Sequence, residues 1–264
     1  PNVLCIVHIG SYHIFIKMKK YIDNLILAKY DEYNMDIYFN IIDTIRTDHI
    51  TNLRKEYPEE NFIISDNYGF DIGSFFHILQ TIKVYNEKYD YVIKLHTKSN
   101  NDMRDSIMEP LFGNIKQIRE SIQIFQNNKQ IGIIASKKSR CIDKHSDFLR
   151  NKKYLQQLMN WYFQETTNVI KQQYCTGTTF WIRFDILQDI FFKYNITNIY
   201  NSFNNMYTFD WNWYYFANKE YIGDTPYNKE KLYEHYLINH NKLKLSGTLF
   251  HALRYKTNSK PIRD

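Results

Sequence analysis

The chain has 264 residues, 44% hydrophobic and 23% charged, which is enough apolar material for one large α/β domain and excludes wholesale disorder. A net charge of +6, with basic residues only in short runs such as 17–20 and 137–138, does not make a nucleic-acid-binding face. No apolar run reaches the ~18 residues of a membrane span.

Cysteines at 5, 141 and 175 have no metal-ligand spacing and read as reduced thiols of a cytoplasmic protein. There is no signal peptide, and the chain opens directly on a strand, as an excised domain would. Glycine is scarce, at 8, so each marks a place where the backbone requires it. The heavy use of Asn, Ile, Lys and Tyr reads as codon bias in an AT-rich genome and carries no functional weight.

Residues 2–9 (NVLCIVHI) form a continuous apolar run, the mark of a strand buried on both faces. Residues 14–29 place Ile14, Met18, Ile22 and Leu25 on one helical face. A second strand is expected at 35–42, ending at Asp43, then a polar helix at 47–57 and a third strand at 61–65. Residues 66–73 read as a loop, with Ser74 capping a helix whose face is Phe75, Ile78, Leu79 and Ile82. A fourth strand follows at 89–95. A helical region from 105 to 125 is interrupted near Pro110 and Gly113, and 131–136 is a fifth strand. Residues 148–171 read as helix, 174–183 as one strand, and 185–193 as a short helix. Strands alternating with helices imply a doubly wound, mainly parallel sheet. From about Phe209 the chain is aromatic and helical, with no clear strand.

Four stretches carry candidate chemistry. In NYGFDIGSFFHIL (67–79), Asn67, Gly69, Asp71 and Gly73 lie between a strand and a helix. A helix N-terminus offers unpaired N–H groups, and Asp71 either hydrogen-bonds a sugar hydroxyl or ties the turn together. In YDYVIKLHTKSNNDMRD (89–105), Lys94, His96 and Lys98 alternate to one side of the strand and, with Arg104, form either a cationic rim for a diphosphate or a solvated strand end. In YCTGTTFWIRFDIL (174–187), Gly177 suggests close backbone approach, and Trp181 either stacks on a sugar ring or belongs to the core. In SGTLFHALRY (246–255), His251 and Arg254 neighbour each other on a helix face, as base and phosphate clamp or as parts of a terminal helix.

In this order, NYGFDIGSF, YDYVIKLHTKSNNDMRDSIMEPLFG, IGIIAS and TGTTFWIRFDIL resemble the rhamnan synthesis protein F family, and SGTLFHALRY resembles its closing segment. The resemblance covers about residues 2–193 and 246–255. It implies a GT-A-like, Rossmann-like fold and transfer of a hexosyl or deoxyhexosyl group from a UDP-, GDP- or dTDP-sugar to a glycan hydroxyl, in surface polysaccharide assembly. Two departures stand out. HALRY lacks the family's Glu, and Ser246 replaces the acidic residue that usually precedes Gly-Thr. Residues 209–242 resemble a helical module found beside glycosyltransferases of bacteria and giant viruses, and the composition suits a giant virus and a host-cytoplasmic location.

The expected organisation is a transferase domain at 1–208, a helical insertion at 209–245 and a closing segment at 246–264. His8, Asp43 and Asp71 would line the nucleotide, with Asn67, Gly69 and Gly73. His96, Lys98, Arg104 and Arg254 would hold the diphosphate. Gly177, Thr178 and Trp181 would face the acceptor, and Asp210 or His251 would be the base. The slot that carries Asp-x-Asp in many GT-A enzymes holds His96-Thr97-Lys98, so no metal ligand is assigned; Mg²⁺ or Mn²⁺ would need oxygen ligands that this strand end lacks. A catalytically degenerate binding scaffold is the alternative.

Overall fold

The computed structural model describes residues 1–31, 33–65, 70–82, 88–129, 131–137, 140–142, 173–175, 178–185, 187 and 235–239. The elements are β1 (Asn2–Ile9), α1 (Tyr12–Asp31), β2 (Asn34–Ile42), α2 (Thr47–Glu56), β3 (Asn61–Ser65), α3 (Phe70–Thr81), β4 (Tyr91–His96), α4 (Asn101–Phe112), α5 (Ile115–Asn127), β5 (Ile131–Ser136), β6 (Arg140–Ile142), β7 (Gln173–Cys175), β8 (Phe180–Arg183) and β9 (His235–Asn239).

Seven strands make one sheet in the order β3-β2-β1-β4-β8-β5-β9, and β6 and β7 pair separately. The first four strands are parallel, and β8 runs antiparallel between β4 and β5. This is the doubly wound α/β sheet that the alternation predicts. Residues Val3, Cys5, Val7 and Ile9 of β1 share one core with Phe15, Met18, Tyr21, Ile22 and Leu25 of α1, and with α2, α4 and α5. Each fully buried Val, Leu, Ile or Phe side chain there contributes about 1.5–3 kcal/mol. The opposite face carries Leu4, Ile6 and His8 and is covered by α3, whose Phe75 meets Phe180 of β8 edge-on.

Local chemistry sets the boundaries. Asn100 accepts from the Met103 amide at 2.8 Å and starts α4 four residues earlier than its apolar pattern suggests. Asn114 and Gln117 form a reciprocal capping box that opens α5. Pro110 does not interrupt α4, although a proline withholds the N–H that would reach the carbonyl four residues back. That carbonyl belongs to Ser106, and the Ser136 hydroxyl donates to it at 2.7 Å. The end of β5 thus satisfies the acceptor that Pro110 leaves open.

Three expectations are corrected. The 66–73 loop is shorter, because α3 begins at Phe70, and Ser74 is a buried residue inside the helix instead of its cap. The strand read over 174–183 is two strands, broken around Thr178, whose φ of 50° leaves the extended region. Within the segment read as helical, His235–Asn239 is a strand paired with β5. Of the short helix expected at 185–193, Asp185 and Leu187 are helical; its other residues, the helix expected at 148–171 and the rest of 209–264 lie outside the described residues.

Ser136→Ala should destabilise the protein by about 0.5–1.5 kcal/mol, the net worth of the partly buried hydrogen bond it removes from the Ser106 carbonyl. In a Pro110→Ala background the restored amide takes that carbonyl, so the cost should shrink; urea denaturation of the four-member cycle reads this coupling.

Candidate functional site

In the order β3-β2-β1-β4, the chain steps outward from β1 to β2 to β3 and then returns to the other side of β1. Open α/β sheets bind ligands beyond the carboxyl ends of the strands at such a reversal. Here it lies between β1 and β4, where His8 and His96 are register partners. The two loops that leave these strands are tied together. The Thr97 amide donates to the His8 carbonyl at 2.9 Å, and the Gly10 amide donates to Thr97 Oγ1 at 2.9 Å.

A polar relay runs from this point across the sheet. His8 Nδ1 meets Asn40 Oδ1 at 2.7 Å, and Asn40 Nδ2 donates to Ser65 Oγ at 2.7 Å. All three residues are buried. Three neighbouring parallel strands therefore end in a hydrogen-bonded His-Asn-Ser row.

Two residues before His96, Lys94 is 1% exposed and belongs to a second network. Its Nζ donates to Asp71 Oδ2 at 2.5 Å, to the Thr178 carbonyl at 2.8 Å and to Thr178 Oγ1 at 3.1 Å. The Thr178 hydroxyl donates in turn to Asp71 Oδ2. These contacts join β4, the first turn of α3 and the start of β8. They also hold Thr178, a β-branched residue, in the left-handed region that costs about 1–3 kcal/mol.

Burial and charge decide what each histidine can do. Burial pushes the His96 pKa well below the usual histidine range; the Asp71 carboxylate opposes this and the Lys94 ammonium adds to it. His96 Nδ1 lies 3.6 Å from Asp71 Oδ2 and, among the described residues, has no hydrogen-bond partner. Burial lowers the His8 pKa as well, against the Asn40 hydrogen bond. Both rings are neutral at pH 7.

The expected cationic rim is therefore corrected. Lys94 and His96 do share a side of β4, but the Lys94 charge is matched by Asp71 and His96 is uncharged. Arg104 is buried in the first turn of α4, where Asp105 accepts from its Nε at 3.0 Å and Asn101 from its Nη1 at 2.9 Å. Lys98, in the turn after β4, is partly exposed and makes no ion pair among the described residues.

The acceptor-side expectation changes too. Trp181 is fully buried, stacks on Phe112 with ring centroids 6.2 Å apart and presents no face to a sugar. Thr178 is 1% exposed and committed to Lys94 and Asp71. Asp43 is exposed at the end of β2, its amide donating to the Ser65 carbonyl at 3.1 Å. Gly73 lies early in α3. Asn67, Gly69, Gly177, Asp210, His251 and Arg254 lie outside the described residues.

Gly10, Asn40, Ser65 and Thr97 escape a reading of motifs alone. The legible signals were a glycine directly after β1 and one polar residue in the apolar half of a strand. Among the described residues, no three His, Cys, Asp or Glu side chains are placed to hold a metal ion. Asp71, the carboxylate beside the crevice, is already ion-paired. These residues do not fit a divalent cation.

No protein-family model matches the chain, and no curated protein matches it. The solved structures that resemble it include these two. One is a protein assigned as a nucleotide-diphospho-sugar transferase of Desulfovibrio desulfuricans G20, at 11% identity and a TM-score of 0.31, covering 49% of this chain and 56% of that one. The other is core-mannan synthase A of Aspergillus fumigatus in a Mn/GDP form, at 7% identity and a TM-score of 0.36, covering 75% of this chain and 64% of that one. The chain thus spans between half and two thirds of the length of these structures. Its own strand order and alternation make it an α/β, Rossmann-like sheet.

Lys94→Met should cost about 3–5 kcal/mol in urea denaturation, because it strands the Asp71 carboxylate in the interior, and adding Asp71→Asn should recover part of the loss. Stability should also depend on pH through both neutral histidines. The unfolded chain takes up their protons near pH 6.5, while the folded chain resists, so their contribution is complete above about 6.5 and falls as pH drops. Each residue adds a slope of at most about 1.4 kcal/mol per pH unit. Denaturation between pH 5 and 7 should show this slope, and the His8→Gln/His96→Gln variant should flatten it.

Proposed function

We propose that the chain is a glycosyltransferase that moves a hexosyl or deoxyhexosyl group from a nucleotide-sugar to a glycan hydroxyl. The observation that carries this reading is the β1–β4 reversal, where His8 and His96 meet at the carboxyl ends of parallel strands. The NYGFDIGSF and His-Thr-Lys motifs, which resemble rhamnan synthesis protein F, contribute Asp71 and His96, 3.6 Å apart, and support a role in surface polysaccharide assembly. That family placement rests on the motifs.

In this reading the nucleoside lies on the β1–β2 side, near His8 and Asp43, and Asn67 and Gly69 are further candidate contacts. The diphosphate lies by Lys98, the described cation at this strand end that no carboxylate neutralises. A fixed positive charge there stabilises the negative charge that grows on the leaving nucleotide. Arg254 is a second candidate clamp. The acceptor hydroxyl must lose a proton, and Asp210 and His251 are the candidate bases, with Gly177 beside the acceptor path. No step is routed through a metal, because the described side chains supply no oxygen-ligand cluster for one.

A specific observation favours a second reading. Lys94 is neutralised, His96 is uncharged and HALRY lacks its Glu, as in a degenerate transferase that binds a donor without turning it over.

A thermal-shift panel of UDP-, GDP- and dTDP-sugars in EDTA should identify one donor that raises Tm, since a ligand bound only by the folded state stabilises it. Lys98→Ala should keep the wild-type Tm without ligand and lower kcat/KM by about 10²-fold or more, the scale of losing one preorganised charge contact. Unchanged turnover would remove Lys98 from the mechanism, and donor binding without hydrolysis or transfer would favour the scaffold.

A further inference from the structure

The relay that begins at His8 restricts what that residue can recognise. Asn40 offers one donor end and one acceptor end. Its Nδ2 donates to Ser65 Oγ at 2.7 Å, which leaves Oδ1 against His8 Nδ1, also at 2.7 Å. A carboxamide oxygen only accepts, so Nδ1 carries the ring proton. Burial keeps the ring neutral, and a neutral imidazole protonated at Nδ1 has a lone pair at Nε2.

Nε2 faces Gly10, the residue just past the end of β1. It makes no hydrogen bond among the described residues, although His8 is only 5% exposed. A Cβ added at Gly10 would sit 3.4 Å from Nε2 and 3.5 Å from Thr97 Oγ1. Glycine therefore keeps a small approach open to a buried, oriented lone pair. That approach lies at the β1–β4 reversal, beside the Gly10–Thr97 bridge.

We infer that His8 Nε2 is a hydrogen-bond acceptor that selects a donor group on the nucleoside, a ribose hydroxyl or a ring N–H, and turns away phosphate oxygens. An anionic oxygen facing this lone pair would find no proton to share, whereas a hydroxyl or ring N–H would find a partner. Asn40 acts as a positioning residue, because its Oδ1 faces Nδ1 and so places the proton there; Ser65 supports Asn40. The inference rests on the nucleotide-sugar reading and narrows it: the diphosphate lies away from His8, and the nucleoside lies against it.

Two measurements on the full chain test it. Long-range ¹H–¹⁵N correlation of the histidine rings, without ligand, should find His8 protonated at Nδ1 and bare at Nε2. Calorimetric titration with UDP, GDP and dTDP should find a binder, which is then compared with its ring-N-methylated and its 2′- and 3′-deoxy forms. One of these forms should bind about tenfold more weakly, the size of one net hydrogen bond. Loss on methylation identifies the base as the source, and loss on deoxygenation identifies the ribose. Gly10→Ala, which shields Nε2 without changing His8, should weaken the parent by a similar factor. In His8→Phe the parent and the modified nucleotide should bind alike. A proton on Nε2, or equal binding of every form by the wild-type chain, would overturn the acceptor role. Failure of all three nucleotides to bind would instead overturn the nucleotide-sugar reading and this ligand with it, while the ring correlation decides the tautomer separately.

Discussion

A lysine ammonium buried in the middle of a mixed sheet is the constraint on which this structure turns. Taking such an ion out of water costs several kcal/mol, which only close pairing and further hydrogen bonds offset. Lys94 obtains both from Asp71 and Thr178, and the two partners come from different elements. The first turn of α3 must therefore lie over β4, and the chain that enters β8 must bend back through Thr178 to reach the same nitrogen. Apolar contacts alone would let α3 slide along the sheet; the ion pair sets its position. The left-handed Thr178 is the local cost of that arrangement.

The same network determines the electrostatics of the crevice. The Lys94 charge is matched by Asp71, and His96 stays neutral in a buried setting where an ammonium opposes its protonation. A strand end that reads as strongly cationic in sequence thus presents one described free-standing cation, Lys98, beside two neutral imidazoles. This arrangement suits a ligand with a single anionic segment and a polar, uncharged remainder. A nucleotide-sugar has that character, with hydroxyls and ring N–H groups flanking one diphosphate.

The parallel strands were legible because both their faces are buried, so each appears as an unbroken apolar run. Their positions at the carboxyl ends also made His8 and His96 visible as candidates. Three features were hidden by physics that acts across sequence distance. Lys94 looked like a member of a cationic rim because its partners lie 23 and 84 residues away. The start of α3 looked like a loop because Gly73 disfavours helix by about 1 kcal/mol, a local preference that tertiary contacts around Asp71 and Phe75 override. Asn40 was passed over because a composition rich in Asn hides a single functional one. Trp181 had two open readings, and burial against Phe112 decided for the core.

The central claim is that the ligand site lies at the β1–β4 reversal, and histidine side-chain NMR addresses it directly. Four of the described histidines provide an internal comparison: His8 and His96 at the reversal, exposed His13 in α1, and His49, which stacks on Tyr12. On titration with the nucleotide that binds, the ring resonances of His8 and His96 should shift together with occupancy, while those of His13 and His49 stay in place. Saturable binding that moves His13 or His49 and leaves His8 and His96 unchanged would contradict the account.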